Sequence, residues 1–251
     1  MLAPAVPAPV KRVIARGSRL RPEDPMHRVA LLLLVLLLLP AAPGEGAGRE
    51  PEFWPWFQAN EARIREAFER REAAPEALQA MTLEIAEAFR RVEPNLVFEY
   101  GKAEDGVYEF VVSAEGLRES IPRVLATVES APPVAGWRFI AFRPRNPDFR
   151  DVAVSIGGVE IGPESIWYRM APAGGQVDLV IALQGFDAGN DGPLTQVAFI
   201  LLDQALGEYD VMTKIRYIDF EALPSDPQRH DLKPLSEIRG DFDAVFPRTR
   251  Q

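Results

Sequence analysis

The chain has 251 residues, with 28 Lys and Arg against 37 Asp and Glu, two histidines and no cysteine. The lack of cysteine excludes disulfide staples, thiol nucleophiles, Cys-zinc sites and a Cys-linked lipid anchor. A net charge of −9 repels phosphate backbones and anionic headgroups, which argues against nucleic acid as a partner.

Residues 1–25 are Pro-rich and carry Lys11, Arg12, Arg16, Arg19 and Arg21. They are too long for the basic start of an export signal, and Met26 followed by His27-Arg28 makes a more ordinary one. The expectation is that residues 1–25 are an extended start or precede the true one. Val29 to Leu39 is an uninterrupted apolar run closed by Pro40, with small residues from Ala42 to Gly48. Crossing a hydrocarbon core takes roughly 20 apolar residues, so the run fits the core of a signal peptide, with cleavage between Ala42 and Gly48. Residues 26–48 are therefore expected to be removed, touching the membrane only in transit. An uncleaved anchor is the alternative. The remaining chain would be periplasmic or secreted, with 22 basic and 34 acidic side chains, a net −12.

The remaining length suits one α+β domain over 49–223, followed by a polar, Pro-rich tail over 224–251 that docks in part. Phe53-Trp54-Pro55-Trp56-Phe57 reads as an aromatic lead-in, with a helix from about Asn60. Pro75 fits the first turn of a second helix, in which Leu78, Met81, Ile85, Phe89 and Val92 recur at three- and four-residue spacing. The period then switches to two. Leu96–Tyr100 and Val107–Ser113 flank a polar turn as a hairpin. Leu117 to Val128 marks a helix, with Ser120 as cap ahead of Pro122, and Trp137–Phe142 a strand.

The second half repeats this order. Ser165–Met170 and Val177–Leu183 form a hairpin around Ala-Pro-Ala-Gly-Gly, a helix runs from Pro193 to Leu206, and Gly207 closes it. Tyr209 to Phe220 reads as the last strand. Two ββαβ-like units thus compose an antiparallel-rich sheet, with two leading helices packed on it. The helix at 193–206 is apolar nearly all round, which makes it a core element or part of a homodimer interface.

No phrase names a catalytic activity. His230 is the sole histidine after the signal and there is no G-x-S-x-G, so a Ser-His-Asp triad has little to rest on. Arg138, Arg143, Arg145 and Arg150 gather around one strand end and could bind a carboxylate or phosphate. Asp203, Glu208 and Asp210 cluster around Gly207, with Glu208 and Asp210 two apart on an expected strand and so on one face. They could serve as acid and base or hold a divalent cation. Asp187-Ala-Gly-Asn-Asp191-Gly resembles the start of a calcium loop, but its twelfth position is Ala198 instead of Glu. Trp54 and Trp56 could stack on sugar rings or on a partner. The reading is an exported, non-catalytic domain that binds a protein or a small anionic ligand, with no cofactor. A carboxylate-dependent hydrolase, with or without a metal, and a membrane-tethered interaction domain are the alternatives.

Overall fold

A computed structural model describes residues 13–15, 53–156, 159–187 and 191–247. The expected signal run, Met26 and the cleavage region lie outside the described residues. In chain order the elements are β1 Val13–Ala15, α1 Phe53–Glu69, α2 Pro75–Val92, β2 Val97–Lys102, β3 Tyr108–Ser113, α3 Ile121–Glu129 and β4 Trp137–Ala141. Then follow β5 Val152–Ile156, β6 Val159–Ile161, β7 Ile166–Ala173, β8 Gln176–Leu183, α4 Asp191–Leu206, α5 Glu208–Lys214, β9 Ile215–Ala222, β10 Lys233–Pro234 and α6 Ile238–Val245. The fold is α+β. Its contacts fall into two compact units, one over 30–141 and the other over 142–251 together with 1–29.

In the first unit, α1 begins at Phe53 rather than at the expected Asn60. Pro55 sits in its first turn, where a missing N–H costs nothing, so the aromatic segment is helix and not lead-in. Pro75 opens α2 as expected. β2 and β3 pair antiparallel from Val97↔Ser113 to Lys102↔Tyr108. α3 then carries the chain to β4, which pairs parallel with β3. This is a ββαβ unit in strand order β2-β3-β4. Period-two alternation puts Phe98, Tyr100, Tyr108 and Phe110 on one sheet face. The two leading helices pack on that face: Phe57 meets Phe110 at 5.4 Å and Trp137 at 4.9 Å, and Phe89 meets Phe98 at 5.6 Å. These edge-on rings fill the core of the unit.

The second unit repeats the topology. β7 and β8 pair antiparallel through eight residue pairs, α4 and α5 cross over, and β9 pairs parallel with β8. Its sheet runs β10-β7-β8-β9, and a separate small sheet runs β1-β5-β6. The two ββαβ units therefore each build their own sheet instead of sharing one. Gly174 and Gly175, at φ 60 and 86, form a two-residue turn, for which positive φ at both positions matches the strand twist. Val197, Ala198, Leu201, Leu202, Ala205 and Leu206 of α4 are fully buried against β7 and β8 residues such as Tyr168 and Ile181. Leu235, Ile238 and Phe242, in the segment expected as a tail, are buried in the same core. No described helix is long and apolar enough to cross a membrane.

Candidate functional site

The expected arginine and carboxylate clusters meet at the C-terminal end of α4. The helix stops there because Gly207 takes φ 84, ψ 138, a backbone region that is strained for any residue with a Cβ. A Cβ on Gly207 would also stand 3.4 Å from the Arg145 backbone nitrogen. That close approach brings the 143–147 segment against the helix end, where the last four carbonyls lack intrahelical donors. Each receives one. Gly207 N–H donates to Asp203 O at 2.8 Å and Asn146 N–H to Gln204 O at 2.9 Å. Arg239 Nε donates to Ala205 O at 2.9 Å and Arg145 Nε to Leu206 O at 2.7 Å. Two guanidinium charges thus stand at the negative end of the helix dipole.

The carboxylates complete the network. Arg145 Nη1 donates to both oxygens of Asp243, at 2.7 and 3.0 Å, and its Nη2 to Asp210 at 3.2 Å. Lys214 reaches Asp210 from the other side at 2.9 Å. Arg143 lies 3.7 Å from Asp203, and its backbone N–H donates to Glu208 Oε2 at 3.0 Å while Glu208 N–H returns a bond to Arg143 O. The two clusters, weighed separately from the sequence, neutralise one another, and what they do together is fix the α4–α5 junction. Glu208 and Asp210 stand on helix α5 and not on the expected strand. Residues two apart on a helix do not share a face, so the strand-based pairing of these carboxylates is corrected.

The other candidates are placed apart. Arg150 donates to Ser236 O at 3.2 Å. Arg138 belongs to the first unit and bridges Glu109 at 2.5 Å and Asp105 at 2.7 Å. The Val107 N–H and then Arg138 hold Asp105 below the usual carboxylate range, and Asp105 with Glu109 raises Arg138. Asp187 is exposed. Asp191 already opens α4 and Ala198 is buried within it, so a twelve-residue cation loop ending at Ala198 does not form. Among the described residues, no group of three acidic or histidine side chains is placed to hold a metal ion. Trp54 is buried, with its indole N–H on Thr127 O at 3.0 Å. It is a core side chain, since the helix start carries it inward. Trp56 is half-buried.

Sequence reasoning missed Lys214, Arg239 and Asp243, which complete the junction from a predicted strand and a predicted tail. It also missed a surface feature of the second unit. Phe199 projects from α4 with 44% of its surface exposed and meets half-buried Phe220 of β9 at 5.6 Å. Phe186, just after β8, stands 6.2 Å from Phe220. The signal was present in α4, whose apolar positions exceed one buried face. Compared with family models, curated proteins and solved structures, the chain finds no match.

Proposed function

We propose that this is an exported protein of the cell envelope, periplasmic or secreted, whose mature part binds a protein partner without catalysing a reaction. The observation that carries the binding half is the Phe186–Phe199–Phe220 surface, where a large ring on an otherwise buried helix faces solvent. Aromatic side chains of this kind dominate partner interfaces. The arginines that a small anion would need already carry Asp210, Asp243 and the α4 carbonyls, which favours a protein over an anionic ligand. Export rests on the Val29–Leu39 run and the small residues behind it.

The test is fractionation of cells producing the full chain with a C-terminal tag. The tagged product is expected in the periplasm or medium, with its N-terminus between Ala42 and Gly48. Cytoplasmic product with an intact N-terminus overturns export. For binding, a photoreactive residue at position 199 is expected to give a discrete cross-linked species in cells that the same residue at exposed Leu83 does not give. Equal labelling from both positions removes the binding half. Melting that Ca²⁺ or Mg²⁺ raises, and that Asp210→Asn makes metal-independent, replaces this reading with the hydrolase.

A further inference from the structure

Resting on that reading, we infer that the Phe186–Phe199–Phe220 surface docks a basic, apolar-containing peptide segment of its partner. Two independent features meet here. The first is the apolar one: Phe199 is 44% exposed, its ring stands 69° from Phe220 at 5.6 Å, and Phe220 lies 31° from Phe186 at 6.2 Å. A continuous row of rings is thus anchored on α4, β9 and the end of β8, a rigid base for apolar side chains to settle on.

The second feature is charge. Asp187 follows Phe186 directly, Asp219 and Glu221 bracket Phe220, and Asp203 stands one helical turn beyond Phe199. Asp187 and Asp219 are exposed. Against these, α4 contains no Lys or Arg. β9 contains one cation, Arg216, which is committed to Asp178 through bonds of 2.9 and 2.5 Å. Arg143, the cation at Asp203, is held in the junction at 11% side-chain exposure. The elements that present the rings therefore offer an incoming chain anionic side chains and few cations. Charge complementarity selects a Lys- or Arg-bearing segment and rejects an acidic one. Neutral apolar contact alone would not need this asymmetry, and an anionic bilayer is repelled by it.

The experiment uses the mature chain and three synthetic peptides read by fluorescence anisotropy. One alternates Lys with Phe and Leu, one replaces every Lys by Glu, and one replaces Phe and Leu by Ser. Only the Lys-Phe/Leu peptide is expected to bind, more weakly as salt rises. Phe199→Ala is expected to weaken it at least tenfold. The double variant Asp219→Asn, Glu221→Gln is expected to weaken it several-fold and flatten the salt dependence. Both variants change exposed or half-exposed positions, and melting temperatures within a few degrees of the parent confirm the fold. Binding that neither variant alters, equal binding of the Glu peptide, or Phe199-dependent capture by phosphatidylcholine vesicles overturns the inference. A chain that is exported and cross-links at position 199 yet ignores the Lys peptide loses this inference and keeps the wider reading. A chain that stays in the cytoplasm loses the wider reading whatever the peptides do.

Discussion

Arg145 ties more of the second unit together than any other charged side chain at the α4 end. It serves a helix carbonyl and two carboxylates with 9% of its side chain exposed. Removing one partner of a buried ionic network leaves the others uncompensated, which costs about 3 kcal/mol. Arg145→Ala is expected to lose that much in urea unfolding. Arg145→Lys should recover less than half, because one ammonium cannot replace a guanidinium fork that points three ways. Arg138→Ala, on an exposed surface pair, should leave the midpoint where it was, as surface pairs do. Equal effects at 138 and 145 would contradict the network. Gly207→Ala is a second probe of the same junction. The Cβ meets both a strained φ of 84 and the Arg145 backbone 3.4 Å away, so a loss of about 2 kcal/mol is expected. A substitution that leaves stability unchanged would show that the 143–147 segment can move off the helix end.

At the scale of elements, what the sequence made legible was what has a short period. The hairpin–helix–strand order appears in both halves because alternation and three-to-four spacing are local signals, and both halves show it as β2-β3-α3-β4 and β7-β8-α4-α5-β9. The misses are places where two local signals compete. Pro55 looks like a breaker but sits in a first turn. Tyr209 to Lys214 has strand-like Tyr and Val, yet Gly207 and the acidic pair Glu208 and Asp210 start a helix there, as negative charge does at a positive helix end. The α4 junction could not be read at all, since its partners lie 65 and 98 residues apart along the chain. The β7–β8 turn is more tractable. Positive φ at Gly174 and Gly175 asks for Asn-Gly or Gly-Gly. Gly174→Asn is expected to hold or raise stability by about 0.5 kcal/mol by stiffening the unfolded chain. Gly175→Val should lower it by at least about 1 kcal/mol. Thermal melts of the pair check this, and a destabilised Asn variant would mean that the turn differs from the type inferred.

Across the whole chain, stability against pH is set by shifted groups at two ends of the scale. Lys102 and Tyr108 hold Glu69 below the usual carboxylate range, Arg216 does so for Asp178, and Lys233 with Tyr168 for Asp241. A carboxylate depressed in the fold contributes its full stabilisation above its unfolded value, about 4, and loses it as pH falls through the folded one. At the other end, burial and then Asp241 push the Tyr168 hydroxyl far up, where it donates to Asp241 at 2.7 Å. Burial likewise raises Tyr100, and burial with Glu69 raises Tyr108. A raised hydroxyl contributes fully below its unfolded value, about 10, and that contribution is lost as pH climbs beyond it. The raised Lys102 and Lys233 act in the same direction. The urea midpoint is therefore expected to be flat from about pH 5 to 9 and to fall on both sides. Tyr168 is fully buried within the second unit, so it can ionise only as that unit opens. Tyr168→Phe should make the alkaline fall shallower while leaving the acid limb nearly as steep, because Lys233 still holds Asp241 at 2.6 Å. An alkaline limb of unchanged slope in the variant would mean that another group, and not this hydroxyl, governs unfolding at high pH.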